Sequence, residues 1–295
     1  MRAASVFHAF HTSGLVRTCL VAAGTAALVS GTVAPTGGAT AIVPPRFDHI
    51  VVVMEENHSF SDIIGSSSAP YINSLATQGA SFTDSFAITH PSQPNYVALF
   101  SGATQGLTSD TCPHTFSVNN LGNEVRGAGL SFTGYSESMP SDGFTGCTSG
   151  EYARKHSPWT NFSDLPATTN LQFTHFPTTT AGFAALPTLS FVIPNLLDDM
   201  HDGTIAQGDT WLRSHIDAYA QWAKTNNSLL VVTWDEDDSS MSNQIPTLFV
   251  GAHVTPGNYT EKINHYTVLR TVEDSYGLGH LGSSATATPI TDVWN

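Results

Sequence analysis

The sequence predicts an α/β domain built on a mainly parallel β-sheet with helices on both faces. Runs at 47–54 (FDHIVVVM), 228–234 (SLLVVTW) and 245–251 (IPTLFVG) are short, apolar and mostly β-branched, the character of strands buried on both sides. LPTLSFVI at 186–193 adds a fourth. Helical spacing separates them: Tyr71, Ile72 and Leu75 within 69–79, Leu212, Ile216, Tyr219 and Trp222 within 206–224, and Tyr266, Leu269, Val272 and Tyr276 within 265–276. Strands alternating with helices give parallel pairing, because each crossover returns the chain to the same end of the sheet.

The first 41 residues stand outside this pattern. Arg2 and Arg17 occur without an acidic residue, and the small, apolar run LVAAGTAALVSGTVA leads to ATA at 39–41, the composition of a secretion signal. The run is too short and too rich in Gly, Ser and Thr for a membrane span, so stable membrane insertion is not expected and residues 42–295 are expected to be secreted. Arg2 and Arg17 take two of the ten basic residues with them, which leaves 24 acidic residues facing eight basic ones. That balance argues against nucleic acid as a partner.

Beyond the signal, Cys112 and Cys147 are an even pair without metal-type spacing, and outside the cytoplasm they predict a disulfide. Both lie in 103–185, a stretch rich in Gly, Ser, Thr, Asn and Pro that fits the strand and helix rhythm badly. It is expected to form a loop-rich insertion or lid, with FPTTTAGFAAL as a turn-rich segment.

Two buried runs end in concentrated polar chemistry. VVVMEENHSF runs into Glu55, Glu56, Asn57 and His58, and LLVVTWDEDD runs into Asp235, Glu236, Asp237 and Asp238. Open parallel sheets collect ligands at the carboxyl ends of their strands. Carboxylates gathered there repel one another unless a cation or protons hold them, so the pair of clusters points to a metal.

Between them lies THPSQPNY, at 89–96. Gly102 is a helix stop, which makes SQPNYVALFS a helix with Ser92 as N-cap and Pro94 in the first turn. Capping alone accounts for a serine at this place. The start of a helix also presents free N–H groups to an anion, and a hydroxyl there, close to a cation, is placed to attack phosphorus.

MEENHSF, THPSQPNY, WDEDD and NHYTVLRTVEDSYGL, in this order, resemble the phosphoesterase family that joins secreted acid phosphatases with bacterial phospholipases C, a branch of the alkaline phosphatase superfamily. The resemblance implies an alkaline-phosphatase-like three-layer sandwich, one divalent metal held by Glu56, Asn57, Asp235 and Glu236, and Ser92 as the metal-bound nucleophile. It implies substrate contacts from Asn95, His156 and His201, the two histidines also serving proton transfer. Carboxylate, amide and alkoxide oxygens suit Ca²⁺, Mg²⁺ or Mn²⁺, with Zn²⁺ as the alternative. The chain departs from the phospholipases in DEDDSSMSNQIP, where they carry a glycine-rich stretch and a later Asp-His, and in Tyr96, where they usually carry arginine.

The expected activity is therefore a secreted, metal-dependent acid phosphatase acting on a small phosphorylated substrate through a phosphoserine. A phospholipase C acting on phosphodiesters and a catalytically inactive binding protein are its rivals. A serine hydrolase of the G-x-S-x-G type does not fit the residues around Ser92. His265 is expected only to start its helix, and His90 has no assigned place.

Overall fold

The computed structural model describes residues 43–295, and the expected secretion signal lies outside them. Eight strands form the central sheet: β1 (His49–Glu55), β2 (Ala80–Phe82), β3 (Phe132–Ser136), β4 (Asn170–Gln172), β5 (Leu189–Ile193), β6 (Ser228–Trp234), β7 (Thr247–Gly251) and β8 (Gly257–Tyr259). Their order across the sheet is β8-β2-β7-β6-β1-β5-β3-β4. All neighbours pair in parallel except at β7, which runs antiparallel to β6 and β2. The link from β6 to β7 carries no helix to cross the sheet, and the chain turns back to run β7 against β6.

Alternation along each strand divides the core in two. On β1, Ile50, Val52 and Met54 join one apolar cluster with Tyr96, Phe100, Leu269 and Val272. Val51 and Val53 join the other, with Ile72, Leu75, Trp211, Leu212 and Tyr219. The helices Ser92–Ser101 and His265–Tyr276 therefore cover one face, and Pro70–Gln78, Ile205–His215 and Asp217–Ala223 cover the other, giving the three-layer sandwich. The single helix expected over 206–224 is broken at Ile216 into two.

The stretch 103–185 differs from its expectation in one respect: it supplies β3 and β4 to the sheet itself. The sequence FTGYS hid β3 because it has few β-branched residues. Gly134 is required there, since a Cβ on it would sit 2.2 Å from the Trp159 indole. The rest of the stretch holds a short helix at Leu121–Gly127, one helical turn at Thr180–Phe183 within the segment expected to be turn-rich, a two-stranded ribbon (Thr148–Ser149 with Tyr152–Ala153), 3-10 turns and loops, tied by the Cys112–Cys147 disulfide.

Candidate active site

The register between β1 and β6 sets the site. Glu55 pairs with Trp234, and the Asp235 amide donates to the Glu55 carbonyl at 2.9 Å, so both acidic clusters leave the sheet side by side. By the same alternation Glu55 and Trp234 belong to the layer of Pro70–Gln78, while Glu56 and Asp235 fall on the side of the helix Ser92–Ser101. Glu56 thus reaches that helix directly from its strand, and in the second cluster it is Glu236, one residue further on, that does so.

Ser92 is the first residue of this helix, not its cap. Pro91 holds the cap position without a side-chain bond, and every residue of the helix is buried. The Ser92 hydroxyl is 3.1 Å from both Glu56 Oε2 and Glu236 Oε1. A hydroxyl has one proton to give, so two carboxylates at this distance leave one acceptor facing its lone pairs. The repulsion is relieved by a further proton or a cation.

Glu56 is entirely buried. Its Oε1 accepts from the Tyr96 hydroxyl at 2.6 Å and lies 2.9 Å from His156 Nε2, whose ring stacks on Tyr96 at 5.0 Å. His156 Nδ1 lies 3.2 Å from Asp199 Oδ2, so this imidazole sits between two buried carboxylates. Burial opposes its charged form, but Glu56 and Asp199 outweigh that and raise its pKa to about 9. Burial likewise opposes ionised Glu56, yet His156, then Lys155 and Tyr96, hold its pKa down to about 2. His156 therefore fixes Glu56 in the resting site, instead of standing open to a substrate.

Asp235 is buried. Its Oδ1 accepts from the Asn57 amide at 3.2 Å, its Oδ2 has no partner among the described residues, and its carbonyl accepts from His265 Nε2 at 2.7 Å. Burial, then Glu56 and Glu236, push its carboxyl well above the usual range. Glu236 is raised to about 7, mainly by burial. Its Oε2 lies 2.6 Å from His90 Nδ1, and His90 Nε2 is 3.2 Å from Asp237 Oδ1. Acidic groups that hold off ionisation, and a buried carboxylate oxygen without a donor, fit a cation at this place. The 3.1 Å separations around Ser92 match the roughly 3 Å between adjacent oxygen ligands of a small octahedral ion. Glu56, His156 and His201 form a second, overlapping group, each offering a ligand atom within 4.8 Å of the others.

The other expected residues are engaged differently. Asn95 accepts from the amides of Ile88 and Thr89 at 3.0 Å and donates to the carbonyls of Thr89 and Pro91, so it shapes the loop that carries His90. Asn57, at φ 53°, enters the site through its backbone amide. His201 Nδ1 lies 2.7 Å from Asp202 Oδ1, and its Nε2 is 3.1 Å from Lys155 Nζ. A carboxylate on one nitrogen calls for N–H there and an ammonium on the other calls for a lone pair, so Nε2 has no proton for a leaving group in this arrangement. His90, Tyr96, Lys155, Asp199 and His265 complete the site without having been assigned to it from the sequence. Tyr96 was visible as a departure from the phospholipase motif, and Asp199 as a neighbour of His201.

A serine hydroxyl clasped by buried carboxylates, where parallel strands end, defines a centre of the phosphoester-hydrolase class. The profile of the Phosphoesterase family matches residues 66–279, and the chain belongs to that family. It is 53% identical over 290 residues to a phosphatidylinositol-3-phosphatase of Mycobacterium tuberculosis, covering 98% of this chain and 95% of that protein. It is 29% identical over 255 residues to an acid phosphatase of Aspergillus fumigatus, covering 80% of this chain but 56% of that protein. Among solved structures the fold resembles a Vibrio parahaemolyticus protein in the alkaline phosphatase superfamily (TM-score 0.58, 12% identity, 85% of this chain and 72% of that one). It also resembles the phosphonate monoester hydrolase of Agrobacterium radiobacter (TM-score 0.53, 14% identity, 84% of this chain and 79% of that one). The chain is a phosphoric ester hydrolase of alkaline-phosphatase-superfamily fold. No helix among the described residues is long and apolar enough to cross a membrane.

Proposed function

We propose that the chain is a metal-dependent phosphomonoesterase that works through a phosphoserine on Ser92. The observation that carries this reading is the placement of the Ser92 hydroxyl between Glu56 and Glu236, on a buried helix start. Glu56, Asp235 and Glu236 would hold one divalent ion, with the Asn57 side chain as the further ligand that the family resemblance implies. When bound, the ion would neutralise the carboxylates and favour the ionised hydroxyl.

Glu236 Oε1 is placed to accept the Ser92 proton, and His90 on its other oxygen steadies the carboxylate that takes it. The freed alkoxide attacks phosphorus, the ester P–O bond breaks and the leaving oxygen takes a proton from water, and a second water then cleaves the phosphoserine while Glu236 returns its proton to Ser92. At the start of the helix the Gln93 amide is engaged by Asp110 and Pro94 has no N–H, which leaves the Ser92 amide to face a phosphate oxygen. His156 keeps Glu56 in place throughout.

The relative named as a phosphatidylinositol-3-phosphatase supports a phosphomonoester on a lipid headgroup as a substrate class. The secretion signal expected in residues 1–41 from their composition supports action outside the cytoplasm. A panel of p-nitrophenyl phosphate, bis(p-nitrophenyl) phosphate and a monophosphorylated inositol lipid, assayed with and without Mg²⁺, Mn²⁺ or Ca²⁺, tests this reading. Metal-requiring release of phosphate from the monoesters supports it. Cleavage of the diester alone would transfer the protein to the phospholipase C reading.

A further inference from the structure

A transferring phosphoryl group brings negative charge into a site already crowded with carboxylates. Ten lysines and arginines serve the whole chain, and two of them, Arg154 and Lys155, adjoin the site histidine His156. The three residues form one turn of 3-10 helix, Arg154–His156, whose threefold period sends consecutive side chains in three directions. Arg154 turns away from the site and donates to the carbonyls of Thr145, His114 and Thr160, which makes it a tie for the surrounding loops. His156 turns to Glu56 and Asp199. Lys155 takes the third direction.

Its ammonium donates to Asp110 Oδ2 at 3.0 Å and lies 3.1 Å from His201 Nε2. Asp110 Oδ1 accepts from the amide of Gln93, the residue after Ser92, at 2.9 Å. The carboxylate of Asp110 therefore links the ammonium to the start of the nucleophile's helix. An ammonium has three donors, and the contacts among the described residues use two. The Lys155 side chain keeps 18% of its surface open, and one ammonium donor is left over for an incoming oxygen.

We propose that Lys155 is a catalytic cation that binds a non-bridging oxygen of the transferring phosphoryl group, with Asp110 and His201 as its positioning residues. This rests on the phosphomonoesterase reading and adds to it a specific electrophile. It also gives His201 a function that its contacts support: the lone pair at Nε2 orients the ammonium, and Asp202 fixes the tautomer. The Cys112–Cys147 disulfide lies between Asp110 and Lys155 in sequence and joins the two segments that carry the pair.

The test measures hydrolysis of p-nitrophenyl phosphate and inhibition by orthovanadate for the wild type, Lys155→Ala, Lys155→Arg and Asp110→Asn, with thermal unfolding of each. Lys155→Ala is expected to lose about 10²-fold or more in kcat/KM and to weaken vanadate inhibition in parallel, the usual cost of removing one donor to a developing charge. Added ethylammonium should restore part of the lost rate, a rescue that a purely structural lysine would not show. Lys155→Arg keeps the charge at a different reach and should retain more activity than Lys155→Ala, and Asp110→Asn should lose about tenfold, mainly in kcat. An active wild type, with Lys155→Ala keeping kcat/KM and vanadate inhibition within about threefold, overturns the assignment, as does a folded Lys155→Arg no more active than Lys155→Ala. A wild type that hydrolyses no monoester with any divalent metal overturns the phosphomonoesterase reading itself, and this inference with it.

Discussion

The Ser92 hydroxyl meets the Glu236 carboxylate at 3.1 Å, although 144 positions separate the two residues in the chain. Glu56 approaches the same hydroxyl from the other side at the same distance. Two carboxylates around one oxygen make the metal-free site electrostatically unfavourable, and that gives the metal a thermodynamic signature. Adding Mg²⁺, Mn²⁺ or Ca²⁺ to chelator-treated protein is expected to raise the thermal midpoint, with about 2.7 kcal/mol gained at a hundredfold excess over Kd. Asp235→Asn and Glu236→Gln should each reduce that gain while leaving the metal-free protein as stable as the wild type or more so. Equal midpoints with and without each metal would count against a cation site.

Tyr96 donates a 2.6 Å hydrogen bond to Glu56 and stacks on His156. Tyr96→Phe keeps the ring and removes the donor. A bond from a buried hydroxyl to a carboxylate contributes about 1.5 to 3 kcal/mol, so denaturant unfolding should show a loss of that order. Turnover should fall about tenfold, because Glu56 loses an anchor on the side away from Ser92. Unchanged stability and unchanged turnover together would show that Tyr96 does not position Glu56.

The two acidic clusters and their shared end of the sheet were legible because each follows a strand with a strong apolar signature. Register then settled which member of the first cluster matters: alternation selects Glu56 over Glu55, and a pair of neighbouring glutamates carries no such information until the strand is paired, whereas in the second cluster both Asp235 and Glu236 reach the site. His90 and Asp199 were harder to reach. Each sits in an irregular loop whose path depends on distant contacts, as when Asn95 gathers the amides of residues 88 and 89. The Asp110–Lys155 pair, 45 positions apart, carries no local periodicity, and nothing in the sequence joined the two. Strand β3 stayed hidden because packing against Trp159 demands a glycine where strand propensity favours a branched residue.

Away from Ser92 and its carboxylates, Glu273 is expected to give the fold a pH dependence. Its buried carboxylate accepts from the Leu281 amide and the Ser284 hydroxyl, but burial outweighs them and lifts its pKa to about 7. A raised folded-state pKa means that the contribution to stability is fully present below the unfolded value of about 4.3 and is lost as pH rises through about 7. Glu273→Gln keeps the shape and removes the titration. Denaturant unfolding at pH 5 and pH 8 should therefore show a smaller decline for the variant, by about 1 to 3 kcal/mol. An equal decline in both proteins would contradict the assignment.

The Cys112–Cys147 bridge spans a sequence separation of 35. In the chain-entropy view it stabilises the fold by about 4 kcal/mol. The double variant Cys112→Ser with Cys147→Ser should lose stability of that order in denaturant unfolding. A loss below about 1 kcal/mol would show that the loops hold their places without the bridge.

The account centres on Ser92 as the group that carries phosphate. The most direct measurement is acid quenching of the metal-loaded protein during brief turnover of a ³²P-labelled phosphomonoester, followed by mapping of the labelled peptide. Label on Ser92, absent from Ser92→Ala and accompanied in that variant by a turnover loss of several orders of magnitude without loss of fold or metal binding, is the predicted result. Near wild-type turnover by Ser92→Ala would contradict the account and leave a water molecule as the attacking group.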